Sequence, residues 1–309
     1  MRKVKTDIID AHHLCELYYK KDLEPYKKRG IQIANLRNLT RQHDNITGMY
    51  VQTKLQFQAV LDQVFPEYTK VFGDLYSDVS LKILRAFPTS EAIFNKAYDL
   101  ATILSEKHDY IVIGESLAAG TTTALGVLVG LGYDAKGKVS GCMDTNPHSL
   151  KNRLVDEGLA NANLTPNKDN DPFEVVAAVG DAMLPAVAGV IMGATVPVVL
   201  AGGTQLTAAC AIVRAIDKDF DFSNTCLSTT AYVVADETAD LLDIAKQIGG
   251  ITVNAVDPFF EDSTVEGLKN YTKGFIKEGA GAGGAMFLAL MRGHSIESIR
   301  TAIEKEALK

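Results

Sequence analysis

Asp109-Tyr-Ile-Val-Ile-Gly-Glu-Ser-Leu-Ala-Ala-Gly-Thr-Thr-Thr-Ala-Leu125 limits the folds open to this chain more than any other stretch. A β-branched run stops at a glycine and a carboxylate. A small-residue loop follows, and three threonines then open an apolar stretch with helical character. That order reads as strand, tight turn and helix N-terminus. The first N–H groups of a helix lack partners in the helix itself, so such a turn suits an anion, commonly a phosphate. Glu115 falls at the C-terminal end of the strand, where open α/β sheets place their ligands.

The same grammar recurs downstream. Val196–Leu200 runs into Ala201-Gly-Gly-Thr-Gln205, Ala231–Val234 into Ala235-Asp-Glu-Thr238, and Ile251–Val256 into Asp257-Pro. Gln205–Ile216, Thr238–Ile248 and Leu268–Ile276 have helical spacing, and 160–171, rich in Asn and Asp, reads as a loop. Apolar strands separated by helices predict an α/β fold: a parallel, Rossmann-like sheet with helices on both faces.

The first third of the chain differs. Residues 1–93 hold 3 of the 25 glycines and a net charge of +3, whereas 94–309 hold the other 22 and a net charge of −10. The join is expected near 90–94, after the helix-start signal Phe87-Pro-Thr89. Leu36, Leu39, His43, Ile46, Tyr50, Thr53, Phe57, Val60 and Val64 alternate in steps of three and four. This heptad pattern predicts a long helix ending before Pro66. The α/β part is therefore preceded by an all-α arm, either a coiled coil or a hairpin packed on its own neighbours. Two domains are expected, 1–93 and 94–309.

Composition excludes other classes. With 47% hydrophobic and 22% charged residues the chain is an ordinary globular one. No apolar run is long enough for a membrane span, and the first residues lack the apolar core of a signal peptide. Cys15, Cys142, Cys210 and Cys226 are scattered without a Cys-x-x-Cys pair, which fits reduced thiols in the cytoplasm. His108, His148 and His294 are isolated, so no metal or cofactor is expected. Asp181 follows a glycine at a turn and suits either a helix N-cap or a substrate contact. Gly279, Gly281 and Gly284 formally satisfy G-x-G-x-x-G, but no strand is expected before them and no acid follows at the right distance for a dinucleotide.

Two resemblances add to this reading. Lys5-Thr-Asp-Ile-Ile-Asp-Ala11, Leu36-Arg-Asn-Leu-Thr-Arg41 and Leu61-Asp-Gln-Val-Phe-Pro-Glu67 resemble DEDD-type transposases of RNA-guided bacterial insertion elements over about residues 3–93. The resemblance implies that Asp7 and Asp10 stand where that family has the last two of four metal-binding carboxylates. Its first two acids have no counterpart, so Asp7 and Asp10 are expected to be solvated relics.

Gly114-Glu-Ser, Gly120-Thr-Thr-Thr-Ala124, Asn146-Pro-His-Ser-Leu-Lys151, Ala178-Val-Gly-Asp181, Val199-Leu-Ala-Gly-Gly-Thr-Gln205 and Lys277-Glu-Gly-Ala-Gly-Ala-Gly-Gly-Ala285 occur in that order. Together they resemble the nicotinate-nucleotide:dimethylbenzimidazole phosphoribosyltransferases, in their archaeal and cyanobacterial branch, over about residues 94–309. In that family about 100 further residues precede the start of the match. The resemblance implies transfer of 5-phosphoribosyl from nicotinate mononucleotide to a benzimidazole-type base, as in cobalamin lower-ligand assembly. It implies Glu278 as the base that takes the acceptor's proton and Glu115 as a second active-site carboxylate. For the phosphate and nucleotide it implies Gly114, Gly120, Thr121, Thr122, Lys151, Gly202, Gly203, Gly279 and Gly281. The implied partners are a small-molecule nucleotide, an aromatic base and a second copy of the chain in a homodimer. Neither nucleic acid nor membrane is expected. The alternatives are an inactive chimera with a helical oligomerisation arm, and a nucleic-acid-binding transposase remnant.

Overall fold

The computed structural model describes residues 46–48, 50–58, 74–77, 81, 89–117, 120–141, 145–275, 277 and 281–308. The chain divides into two compact units, Met1–Ser80 and Leu81–Lys309. In the first, residues 46–48 and 50–58 are helical, as the heptad stretch predicts. Ile46, Tyr50 and Phe57 of the seam are exposed there. The Tyr76 hydroxyl donates to the Lys54 carbonyl at 2.6 Å, and the Lys54 ammonium lies over the Tyr76 ring. The rest of the seam, with Asp7 and Asp10, lies outside the described residues.

Among the described residues, the first complete element of the second unit is α1 (Ser90–Ser105). Thr89 caps it by accepting a hydrogen bond from the Ala92 amide at 3.2 Å, as Phe87-Pro-Thr89 predicts. Phe94, Ala97 and Ala101 form its buried stripe. Then come β1 (Ile111–Gly114), α2 (Gly120–Gly130), α3 (His148–Asn161), α4 (Pro172–Val179), α5 (Met183–Gly193) and β2 (Val198–Ala201). The chain continues through α6 (Thr204–Ile216), β3 (Thr225–Thr230), α7 (Ala231–Val234), α8 (Leu241–Ile248) and β4 (Thr252–Val256). It ends in α9 (Ala282–Met291) and α10 (Ile296–Ala307). Among the described residues no helix is long and apolar enough to cross a membrane.

All three strand pairings are parallel, in the order β1-β2-β3-β4. Ile113, Leu200, Leu227 and Val253 are register partners in one row across the sheet. That row joins the main core, where α2, α5 and α6 supply Leu125, Leu128, Leu184, Leu206 and Ile212. The adjacent row is small: Gly114, Ala201, Ser228 and Asn254. α9 packs against the sheet at Ala201 and Thr229, where side chains at Gly283 and Gly284 would overlap the strands. Val256, Met286 and Ile299 form a second, smaller core beneath α9 and α10. Helices therefore cover both faces, as the apolar strands predict.

Two local expectations are corrected. Ala231–Val234 is helix α7, and the strand before it is Thr225–Thr230. A four-residue apolar run cannot be told from a helical turn by periodicity, and the true strand is built from threonines. Their β-branched side chains suit a pleated sheet. Among the described residues of 268–276 only Leu268–Asn270 is helical, as a single 3-10 turn. Gly274, at φ +78°, turns the chain before a longer helix could form.

Cys210 is fully buried on α6, and burial pushes its thiol up to about 12. Cys226 is half-buried, and both thiols are free.

Candidate active site

Because the strands are parallel, the turns after β1, β2 and β3 lie along one edge of the sheet. Glu115 follows β1 directly. Its carboxylate accepts a hydrogen bond from the Leu117 amide at 3.1 Å, and its Cγ lies 3.7 Å from where a Gly202 side chain would begin. Gly202 follows β2, and its amide donates to the Ser228 carbonyl at 3.1 Å. Gly281 takes φ +89° just before α9, and a side chain there would stand 3.2 Å from Gly114 Cα and 3.1 Å from Ala201 Cβ. A left-handed backbone in such close contact admits only glycine comfortably. Gly114, Glu115, Gly202 and Gly281, far apart in sequence, thus meet at the ends of two neighbouring strands.

Two helix N-termini border this point. α6 begins after Gly203 and α2 at Gly120. The Gln205 side chain fills the space beside Gly120, so the two helix starts adjoin. The positive ends of their dipoles favour an anion. Among the described residues, Gln205 Nε2 is buried there without a hydrogen-bond partner. Thr121 and Thr122 are half-buried in the first turn of α2. The next threonine, Thr123, donates its hydroxyl to the Asp181 carboxylate. Asp181 also accepts from the amides of Met183 and Leu184 at 2.9 and 3.2 Å, so it caps α5.

Lys151 is buried in α3, where its ammonium donates to the Ser140 carbonyl and to Asn146 Oδ1, both at 2.9 Å. It belongs to a polar network that sequence reasoning does not anticipate. The centre of that network is Asp236, between α7 and α8. Its Oδ2 forms an ion pair with Lys277 Nζ at 2.8 Å and accepts from the Ser140 hydroxyl at 2.7 Å. Its Oδ1 accepts from the amide and hydroxyl of Thr238 at 3.0 and 2.7 Å. Burial pushes the Asp236 carboxyl up, but the hydrogen bonds from Lys277, Thr238 and Ser140 outweigh it and hold the group below the usual carboxylate range.

Lys277 also donates to the Gly141 carbonyl at 3.3 Å, and its own carbonyl accepts from the Thr230 hydroxyl at the end of β3. The Ser140 amide donates to Thr204 Oγ1 at the start of α6. Asn146 Nδ2 donates to the Val139 carbonyl at 2.8 Å, and His148 Nε2 donates to the Thr238 carbonyl at 2.7 Å. A cavity of about 330 Å³ opens over the network, lined by Tyr232, Asp236, Thr238, Tyr271, Lys273 and Lys277. Tyr271 also borders an apolar cavity of about 470 Å³ under α9 and α10.

Glu278 and Gly279 lie outside the described residues, but both flanks of their segment are placed. Lys277 is held at the end of β3 and Gly281 at the ends of β1 and β2. Among the described residues no cluster of three or more His, Cys, Asp or Glu could hold a metal ion. The sequence signal for the network was partial: Asp236 and Lys277 each adjoin a quoted motif or strand end, but their pairing spans 41 positions.

Comparison with known proteins divides the chain. A transposase family model matches residues 1–66. Over 222 residues the chain is 51% identical to a UPF0284 protein of Methanothermobacter thermautotrophicus, covering 72% of this chain and 62% of the relative. It is 42% identical over 226 residues to a UPF0284 protein of Methanocaldococcus jannaschii, covering 72% of this chain and 63% of that one. The chain thus spans less than two thirds of the length of these curated relatives. Among solved structures, CobT from Thermus thermophilus is similar at a TM-score of 0.47 and 18% identity, covering 66% of this chain and 54% of that chain.

Proposed function

We propose that the second unit binds a ribonucleotide and transfers its 5-phosphoribosyl group from nicotinate mononucleotide to a benzimidazole-type base. What carries this reading is the convergence of Gly114, Glu115, Gly202 and Gly281 at the C-terminal ends of adjacent parallel strands, beside two helix N-termini. The sequence motifs implying this reaction contribute those same residues.

In the reaction an acceptor ring nitrogen attacks C1 of the ribose. The bond from C1 to the nicotinate nitrogen breaks, and its electron pair neutralises the pyridinium. The acceptor's proton passes to Glu278. A carboxylate suits that task when partial desolvation raises its pKa toward neutrality. Glu115, beside Gly202, stabilises positive charge developing on the ribose. The α2 start at Thr121 and Thr122 and the Gly203 amide receive the phosphate through backbone N–H groups, while Gly120 and Gly202 open the two turns, their own amides bonded to the Leu117 and Ser228 carbonyls. Lys151 lends positive charge from behind Ser140, and Gly279 and Gly281 let the chain approach the nucleotide closely.

The same reading takes 94–309 as the catalytic part, a homodimer as the working form and the cytoplasm as its place. Calorimetric titration with nicotinate mononucleotide tests it first. Micromolar binding, about −8 kcal/mol, followed by phosphoribosyl transfer to a benzimidazole that Glu278→Gln abolishes, is the expected result. Failure of a folded sample to bind overturns it.

A second reading concerns residues 1–93. The transposase model match favours a nucleic-acid-binding remnant. Salt-sensitive binding to DNA or RNA would support it, and absence of binding at low salt would remove it.

A further inference from the structure

We propose that Asp181 is a positioning residue for the first turn of α2, acting through the Thr123 hydroxyl. That this turn receives a phosphate rests on the phosphoribosyl-transfer reading, whereas the brace between Asp181 and the turn stands on geometry alone.

Local sequence gives this turn little stability of its own. It opens Gly120-Thr-Thr-Thr123, a glycine and three β-branched residues, all weaker helix formers than alanine, and no acidic residue stands in it to meet the helix dipole. Two attachments tie α2 to the turn at 179–181. A side chain at Gly126 would stand 2.7 Å from the Val179 carbonyl oxygen, and one at Gly180 would stand 2.9 Å from Val127 Cγ2. That close approach fixes how near α2 lies to the end of α4. One residue beyond Gly180, the half-buried Asp181 takes the Thr123 hydroxyl, and the same hydroxyl lies 2.9 Å from the carbonyl of Gly120, where α2 begins. Attachments about a helical turn apart fix the rotation of the helix as well as its height. Rotation decides where the amides of Thr121 and Thr122 point.

A carboxylate beside an anion site needs a reason, because its charge repels the ligand. Here Asp181 Oδ1 accepts from the Met183 and Leu184 amides at 2.9 and 3.2 Å, at the positive end of α5. Its charge is thus offset by a helix other than the one it braces. The other oxygen, Oδ2, faces Thr123. A side chain serving only as the cap of α5 has no need of that second bond.

The test uses the full chain with Asp181→Ala, Thr123→Val, both together, Asp181→Asn and Asp171→Ala. Thr123→Val keeps the shape and the α5 cap but removes the hydroxyl. Asp181→Asn keeps an acceptor for the α5 amides and offers Thr123 Oγ1 a donor, so the hydroxyl proton turns to Gly120. Asp171→Ala removes a comparable cap elsewhere, that of α4, where the carboxylate accepts from the Phe173 and Glu174 amides at 2.7 and 3.3 Å. Calorimetry with nicotinate mononucleotide should show binding about tenfold weaker in Asp181→Ala and Thr123→Val, the loss of about one hydrogen bond to a charged group. The double variant is no worse than either single one. Asp171→Ala binds as the unaltered chain does, and Asp181→Asn at least as tightly. In turnover the loss is a raised KM at unchanged kcat, because the phosphate is held equally before and during the reaction. Amide hydrogen exchange at Ala124 and Leu125, which close the first turn, becomes about tenfold faster in Asp181→Ala and Thr123→Val, and is unchanged at Val129. Unchanged binding and exchange in Thr123→Val, or an equal loss in Asp171→Ala or Asp181→Asn, overturns the proposal. If the unaltered chain binds no nicotinate mononucleotide, the functional reading falls, and exchange at Ala124 and Leu125 alone decides whether Asp181 positions the turn.

Discussion

Arg214 on α6 shows how a single side chain closes this fold. Its Nε and Nη2 donate to the carbonyls of Ile248 and Gly249 at the end of α8, and its Nη1 to those of Lys218 and Phe220. Its guanidinium also lies over the Phe222 ring. A lysine cannot reproduce that fork. Arg214→Lys should cost about 1.5–3 kcal/mol in urea unfolding, the range for hydrogen bonds to a charged group. Asp236 gives a pH-dependent counterpart. Its pKa is lowered in the folded chain, so its contribution is fully present above the unfolded value of about 3.9. That contribution is lost as pH falls through the lower folded value. The stability gap between the unaltered chain and Asp236→Asn should therefore be constant from pH 7 to 5 and shrink below about pH 4, as measured by urea unfolding at each pH. A gap independent of pH down to acid unfolding would contradict this. Residues that speak through local pattern were legible: Glu115 and Gly202 follow strand-like runs, and Asp181 follows a glycine at a turn. The Asp236–Lys277 pair was not, because its partners are joined by the fold and not by spacing.

At the scale of elements, glycines set the distances between layers. A side chain at Gly189 or Gly193 of α5 would overlap the backbone of α1 at Phe94 or Tyr98. Gly193→Val should force the two helices apart and cost about 1–3 kcal/mol in urea unfolding, with Gly267→Ala, at an ordinary negative φ and in open space, as a comparison. Strands β1, β2 and β4 were legible because their apolar runs end in glycine or polar residues. β3 was displaced by one element in the sequence reading. Thr225-Cys-Leu-Ser-Thr-Thr230 is buried between two strands, yet most of its residues look polar on paper. What makes it a strand is the pairing on either side, which no local window contains. The opposite error at Leu268–Ile276 has the same root: helical spacing was present, but Gly267 and Gly274 confine the helix to one 3-10 turn.

For the whole molecule, glycine content and charge change between residues 1–93 and 94–309, whereas the two compact units are Met1–Ser80 and Leu81–Lys309. Each has its own described elements: helical residues 46–48 and 50–58 in one, a layered sheet in the other. A chain comprising 81–309 should therefore unfold cooperatively, with its main transition within a few degrees of that of the full chain in calorimetry. Under the functional reading, nicotinate mononucleotide at 100 times its Kd should raise the stability of either chain by about 2.7 kcal/mol. A shift seen only in the full chain would mean that the first unit takes part in binding. The polar network around Asp236 has a consequence of another kind. It draws on the start of α6, the turn before α3, the end of β3, the turn after α7 and the approach to α9. Replacing one member strands a charge or a donor, so ancestors could not have exchanged these loops one at a time without loss. Anyone grafting this site onto another scaffold inherits the same constraint: the five segments must travel as one cassette.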